Sequence, residues 1–552
     1  MSLPVDSGTR TASSPFWLLS IVGIFIAHAW YLWCAAEDAF ISLRFSENLA
    51  AGHGFTWNVG APPVEGYTNF LWVVLCAGAI KLGLNPLLFA QAIGVASGIG
   101  LILLTYHAGR ELLGWPEPVA LVPSLLLACA GPLATWATSG MEMTLFAFLA
   151  FASTFVIARA WQRREPRDAY GAALLLFLTT LSRPEGLIIA TVLFGLSVLL
   201  ARFERKSAPP GLAAASLIFV ALFAAYFAWR YQYFGYPLPN TFYAKTGGGS
   251  AQVIRGAILA FIFYMQFAMP LLPWLLVAAW EGGIPTGVRV WQALVHDARL
   301  LLFGGALLVS YTAYTIAVGG DYMAMHRFYV PVLPFLYLLA AACAATLFPR
   351  AVRRPQTGAF ALILAITTAG TFFPSTPLER AFFASPPQQH GDQRGVLIER
   401  WHVARLSVIG KFFRGYRRDY SESLATNAIG CIGYYSDMVV YDVHGLVDTH
   451  IAHLAAPSDF IQHLPGHGRS DLAYTLSQRP TYFMFPRDLT ATPVELWRDV
   501  PETLRDQINR EYVHRSVWLD DPVNGESGYF TFFERRDSAA ARASGAKSSS
   551  AS

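Results

Sequence analysis

The stretch FWLLSIVGIFIAHAWYLWCAAED, residues 16–38, decides the class of this chain. From Phe16 to Ala36 it carries no acid, lysine or arginine, and two carboxylates follow at once. A helix rises 1.5 Å per residue, so a run of this length crosses a hydrocarbon core of ~30 Å. It begins after a polar tail and continues through Trp30, Tyr31 and Trp33, which is too long for a cleavable signal peptide. We read it as a signal anchor with residues 1–15 in the cytoplasm.

The same signal recurs down the chain. Further apolar runs occupy 67–82, 86–108, 117–138, 143–162, 169–182, 185–203, 211–234, 251–280, 299–318, 327–348 and 357–374. Composition agrees: of 552 residues, 54% are hydrophobic and 14% charged, where soluble domains carry about 25% charged residues. The mean hydropathy is +0.40. A water-soluble globule, a disordered chain and a nucleic-acid binder are excluded on these grounds, and a net charge of +4 is too weak for a polyanion partner. Cys34, Cys76, Cys129, Cys343 and Cys431 form no CxxC pair, so neither a disulfide framework nor a zinc site is indicated.

Whether 67–82 crosses decides the orientation of everything after it. If it does not cross, fourteen Lys and Arg residues face the cytoplasm against seven outside; if it crosses, the ratio inverts. The positive-inside rule selects the first arrangement. The expectation is eleven spans, a cytoplasmic N-terminus, an extracytoplasmic C-terminus in the bacterial inner membrane, and 67–82 as a juxtamembrane or re-entrant helix. The fold class is an α-helical polytopic membrane protein: a transmembrane domain over 1–374, with a first outer loop at 37–85, and a soluble α/β or α+β extracytoplasmic domain over 375–536. Stretches such as MVVYDVHGLVD at 438–448 carry that change of pattern. The Ser/Ala-rich residues 537–552 read as a disordered tail.

This orientation gathers the polar clusters on one face. Glu37-Asp38, Arg44, His53, Glu65 and Tyr67 share the first outer loop, Glu142 follows Ser139-Gly140-Met141, and Arg183-Pro184-Glu185 joins two spans. Asn240 and Lys245 lie in PNTFYAK, and Asp321, His326 and Arg327 lie between later spans. Acids and bases at a membrane boundary are costly to bury and mark sites where they recur. Each also has a local reading. Glu37-Asp38 and Glu142 suit helix caps, His53 between two glycines suits a turn, and Arg183 and Glu185 suit a local ion pair. Lys245 and Arg327 suit interfacial snorkelling.

The stretch Glu37–Trp72, EDAFISLRFSENLAAGHGFTWNVGAPPVEGYTNFLW, resembles the first outer loop of the GT-C membrane glycosyltransferases. More narrowly it resembles the bacterial terminal β-1,2-arabinofuranosyltransferases of mycobacterial cell walls. The shared features are the acid pair before Phe40, the Gly52-His53-Gly54 turn, Asn58 and Glu65. SGME at 139–142, PNTFYAK at 239–245, GGDYM at 319–323, Tyr434-Tyr435-Ser436 and GLVDTHIA at 445–452 fit the same group. Glu37 departs from the family's Asp-Asp pair and leaves open which acid is the base.

The resemblance implies a polyprenyl-phosphate sugar donor entering from membrane lipid, a glycan or glycoconjugate acceptor, and inversion at the anomeric carbon. Asp38, or else Glu37, would be the general base. Arg183, Lys245 and Arg327 would meet the phosphate, with Arg44, His53, Glu65, Tyr67, Glu142, Glu185, Asn240, Asp321 and His326 as further donor-site candidates. The resemblance fixes no cofactor and leaves metal dependence open: Glu37, Asp38 and Glu142 could hold a divalent cation (magnesium, manganese or calcium). The absence of a GxxxxGK[ST] or GxGxxG loop agrees with a donor that needs no nucleotide. Two other readings stay open: a GT-C transferase moving another lipid-linked sugar to a protein, pilin or lipopolysaccharide, and a transporter or flippase of polyprenyl-linked sugars. A non-catalytic envelope scaffold is a third.

Overall fold

The computed structural model describes residues 15–204, 207–268, 299–321, 323–347, 393–457, 466–485, 489–496 and 500–549. Seven of the described helices are long and apolar enough to cross a membrane: Pro86–Glu111, Met143–Arg163, Gly186–Phe203, Leu212–Phe234, Gly249–Phe267, Arg299–Ala317 and Ala324–Cys343, the last kinked at Met325-His326. The expected span 117–138 is instead a pair, Glu117–Ala128 and Gly131–Thr138, bent by 57°. Pro132 opens the second helix, and a proline amide cannot continue the ladder of the first. The expected span at 169–182 is a helix of 17 residues, Pro166–Ser182. The first run forms Pro15–Tyr31, also of 17 residues. The run at 357–374 and residues 269–280 lie outside the described residues. The doubtful segment is a 12-residue helix, Phe70–Lys81, about 18 Å long and too short to cross alone.

Close approach of helices rests on small residues. A Cβ on Gly94 would lie 2.2 Å from the Ala137 carbonyl oxygen, and one on Gly256 would lie 2.2 Å from that of Ile316. Such contacts let backbones pack where lipid offers no hydrophobic drive between helices.

The bundle has two ends of different chemistry. At one end Arg163 pairs with Glu111, Arg159 with Asp168 and Arg299 with Glu204, each at 2.7 or 2.8 Å. At the other end lie the helix Glu37–Ala50 and the turns after Thr138, Ser182 and Ala317.

The C-terminal α/β domain caps that second end. Its five-stranded sheet runs in the order β2-β1-β3-β5-β4, with β1 Ser423–Thr426, β2 Val439–Asp442, β3 Tyr482–Phe483, β4 Tyr512–Asp521 and β5 Glu526–Arg535. β1 is parallel to β2 and β3, while β5 is antiparallel to β3 and β4. The helix Gln393–Tyr416 packs Phe413 against Tyr482, Phe530 and Phe532. The same buried cluster contains Phe40, Leu43, Trp72 and Cys76 from the membrane-domain side. The two parts therefore share a core, and truncating a ring such as Phe40 to alanine would cost about 3–5 kcal/mol.

Residues expected to form a disordered tail are helical through Ser549, in the helix Arg536–Ser549. Alanine favours helix. Arg542 anchors the element by donating to Glu534 at 3.1 Å and to the Tyr416 carbonyl at 2.7 Å.

Candidate functional site

The helix Glu37–Ala50 begins directly after the first apolar helix and carries both acids in its first turn. Their environments differ. Glu37 Oε1 accepts from the Cys431 amide at 3.1 Å, and the Glu37 amide donates to Glu399 Oε1 at 2.7 Å. Burial, with the negative charges of Asp38 and Glu399 added, pushes the Glu37 carboxyl up to about 8. Asp38 accepts no hydrogen bond from a described residue. Its carboxylate lies 3.7 Å from Arg327 Nη1, and its side chain keeps 14% of its exposure.

Arg327 holds Asp321 by two bonds, at 2.6 and 3.1 Å, and its guanidinium lies over Trp136 and Phe328. The loop that delivers both residues is bent hard. Gly319 and Gly320 have φ of +88° and +73°, and Met325 and His326 adopt the left-handed region at +56° and +47°. Non-glycine residues adopt that region only where their surroundings impose it. His326 is turned away from the acids and bonds Gln266 at 2.7 Å among aromatic rings.

Beside this pair stands a second one. Arg183 donates to Glu142 at 2.5 Å and to both oxygens of Glu185, at 2.7 and 3.2 Å. Asn69 Nδ2 gives Glu142 a further bond at 2.7 Å, and the Tyr314 hydroxyl gives one to Glu185 at 3.2 Å. Burial would raise the Glu185 carboxyl, but the Arg183 charge and hydrogen bonds hold it below the usual range. The hydroxyls of Thr144, Ser182 and Tyr311 are buried without hydrogen-bond partners among the described residues.

Lys245 ends the short helix Asn240–Lys245 and makes no ion pair with a described residue. Burial, helped by Arg327 and Arg183, holds its ammonium below the usual lysine range against the pull of Asp38 and Asp321. Asn240, at the other end of that helix, donates to the carbonyls of Gly445 and Leu446 at 2.8 and 3.0 Å. The PNTFYAK and GLVDTHIA stretches, 205 residues apart, thus meet.

Asp38, Glu142, Arg183, Glu185, Lys245, Asp321 and Arg327 form this one charged group. Arg44, His53, Glu65 and Tyr67 serve elsewhere. Arg44 stacks on Trp57 and spends its donors on the carbonyls of Trp57, Gly433 and Met438 and on Asn58. His53 is exposed in its turn, between Gly52 and Gly54 at φ of +89° and +80°. Glu65 pairs with Arg230 at 2.5 and 2.9 Å. Tyr67 packs against Phe45 at 4.9 Å between ring centroids. Glu37 and Glu142 both have engaged oxygens, and among the described residues no group of three or more His, Cys, Asp or Glu is gathered to hold a metal. Nothing in the local sequence marks Asn69, Tyr311 or Tyr314, and Arg230 stands out only within the run 211–234. A lone arginine in an apolar run was the available signal.

A protein-family profile described as "Domain of unknown function (DUF8728)" matches residues 398–534. The chain is similar to the crystal structure of ArnT from Cupriavidus metallidurans in the apo state, with TM-score 0.53 and 13% identity over 95% of this chain and 98% of that one. The same enzyme bound to undecaprenyl phosphate aligns at TM-score 0.49, again 13% identical, over 87% of this chain and 97% of that one. Long apolar helices, the capping α/β domain and the ArnT likeness together define the class: a membrane protein with the fold of the GT-C superfamily of membrane glycosyltransferases.

Within that class the chain is similar to the terminal beta-(1->2)-arabinofuranosyltransferase of Mycobacterium tuberculosis, 27% identical over 337 residues. The match covers 55% of this chain and 52% of that protein, so the chain spans about half the length of the curated relative it matches.

Proposed function

We propose that the protein is an inverting glycosyltransferase that moves arabinofuranose from a polyprenyl-phosphate donor to a cell-envelope glycan on the outer face of the cytoplasmic membrane. The observation that carries this reading is Asp38: among the described residues its carboxylate accepts no hydrogen bond, lies 3.7 Å from Arg327, and feels the charge of Lys245, which has no ion pair among them. In the proposed reaction an acceptor hydroxyl oxygen attacks the anomeric carbon as the carbon–oxygen bond to phosphate breaks. Asp38 takes the hydroxyl proton, and polyprenyl phosphate leaves. Charge develops in two places, positive on the sugar ring and negative on the leaving phosphate. Asp38 and Asp321 lie on the acidic side of that demand, Lys245 and Arg327 on the basic side. The relative in Mycobacterium tuberculosis supports arabinofuranose as the sugar.

The test is transfer by purified protein from synthetic polyprenyl-phosphoryl-arabinofuranose to a short arabinoside. Asp38→Asn keeps the shape of the side chain and should lose about 10²- to 10⁴-fold of the rate, the range a general base supplies. Near wild-type turnover in that variant would remove Asp38 from the role. A folded wild type that transfers no arabinose but accepts another lipid-linked sugar would refute the sugar and keep the reaction class.

A further inference from the structure

The base proposed above accepts no side-chain hydrogen bond among the described residues, so its place is set chiefly by the backbone that carries it. That backbone is held largely by the C-terminal domain. The Ala36 amide is held inside the membrane domain, by Ser139 O at 2.9 Å, but from the C-terminal side the Glu37 amide donates to Glu399 at 2.7 Å, and the Glu37 carboxyl receives the Cys431 amide at 3.1 Å. The helix Gly430–Ser436 approaches so closely that a Cβ on Gly430 would lie 2.2 Å from Glu37 O and 2.6 Å from Glu37 Oε1. Only glycine leaves room there. Two turns along the same base-bearing helix, Arg44 donates to the carbonyls of Gly433 and Met438 at 2.5 and 2.7 Å. Between these two fastenings Phe40 lies against Tyr434 and Tyr435, with centroids 5.5 and 5.4 Å apart.

We propose that Glu37 is a positioning residue, not a second base: through Gly430 and Cys431 it clamps the helix carrying Asp38 to the C-terminal domain, which makes that domain a working part of the site. The proposal rests on Asp38 being the base. It assigns different work to two adjacent acids, which local sequence cannot separate. It also gives the Tyr434-Tyr435 stretch a task, because that stretch forms the outer jaw of the clamp. A reacting oxygen has to meet its base within hydrogen-bond reach, and a displacement of about 1 Å can cost 10²-fold in rate.

The experiment uses the full chain in detergent as wild type, Gly430→Ala, Glu37→Ala, Glu37→Gln and Asp38→Asn. Hydrogen–deuterium exchange over 37–44 reads the clamp, and arabinose transfer reads its consequence. Gly430→Ala and Glu37→Ala should each raise exchange over 37–44. They should lower kcat about 10- to 100-fold while donor KM stays within about twofold. Glu37→Gln, whose amide oxygen still accepts from Cys431, should recover most of that kcat. A purely structural role would instead lower the amount of folded protein and leave kcat per folded molecule unchanged. Unchanged exchange in Gly430→Ala, unchanged kcat despite raised exchange, or a glutamine variant no better than alanine would each overturn the proposal. If Gly430→Ala does not fold, the two Glu37 variants carry the test alone. A wild type that transfers no sugar at all would defeat the functional reading and the positioning role with it, while the exchange data still accept or reject the clamp.

Discussion

Replacing Arg183 by leucine should be among the most damaging single changes in the membrane domain, and its cost should depend on pH. The Arg183 side chain is 7% exposed, and its partners Glu142 and Glu185 are 1% and 4% exposed. Removing the cation strands two carboxylates where water cannot solvate them, which typically costs about 3–5 kcal/mol. Arg163–Glu111 provides an internal control, since its separation of 2.7 Å is ordinary for a pair while its side chains are 44% and 32% exposed. Arg163→Leu should cost less than about 1 kcal/mol.

The sign with pH follows from Glu185. In the native protein burial tends to raise its carboxyl, yet Arg183 outweighs burial and holds it low. That contribution is present above the unfolded value, about 4.3, and disappears as pH falls through the lower native value. Without Arg183 burial, the largest influence, is opposed only by the Tyr314 and backbone hydrogen bonds, so the native carboxyl should bind its proton more tightly than the unfolded chain does. The penalty then grows as pH rises above about 4.5. Denaturant titration in detergent at pH 5 and pH 8 should show Arg183→Leu losing several kcal/mol more at the higher pH. Glu142→Gln and Glu185→Gln added together should restore much of the loss. A cost equal to that of Arg163→Leu, or the same at both pH values, would refute the reasoning.

Lys245→Ala should raise donor KM about tenfold, the loss expected for one charged hydrogen bond, with a smaller effect on kcat. Lys245→Arg should restore only part, because a fork and a point charge do not occupy one geometry. Unchanged saturation would take Lys245 out of the phosphate site. The Glu37 carboxyl, raised to about 8 by burial and then by Asp38 and Glu399, binds its proton more tightly in the native state than in the unfolded one. Stability should therefore fall as pH rises from about 4.5 to 8, and Glu37→Gln should flatten that part of the thermal-midpoint profile. An unflattened profile would mean that Glu37 is ionised in the native protein at pH 5.

The membrane character of the chain was legible because apolar runs announce themselves locally. The gathering of charged turns at one end was legible too, since alternate crossings bring alternate turns together. Partners were not. Glu65 reads as a site acid until Arg230, 165 residues on, closes on it. Arg44 reads as a donor-site candidate until carbonyls nearly 400 residues away take its donors. The break at Cys129-Ala130 had a local signal in Gly131-Pro132, overruled by the length of the apolar run. His53 lay between two glycines, and the turn was the better of its two readings. The helical tail shows the converse, because Ser/Ala composition says nothing of the Arg542 contacts that fix it.

The charge distribution argues for a division of labour among the three cations. Arg183 is saturated by two carboxylates and cannot release one without stranding it. In the proposed reaction it would serve as scaffold, holding the turns after Thr138 and Ser182 together. Arg327 is committed to Asp321 through two nitrogens, yet its third lies 3.7 Å from Asp38 and directs nothing stronger than a methionine sulfur, Met141 at 3.5 Å. Lys245 is uncommitted among the described residues. In the proposed reaction a phosphate entering beside Lys245 would meet a cation that needs no partner displaced. An ammonium held below its usual range, in turn, gains most from an arriving anion. The anion should therefore raise the Lys245 ammonium and leave the Arg183 pairs undisturbed.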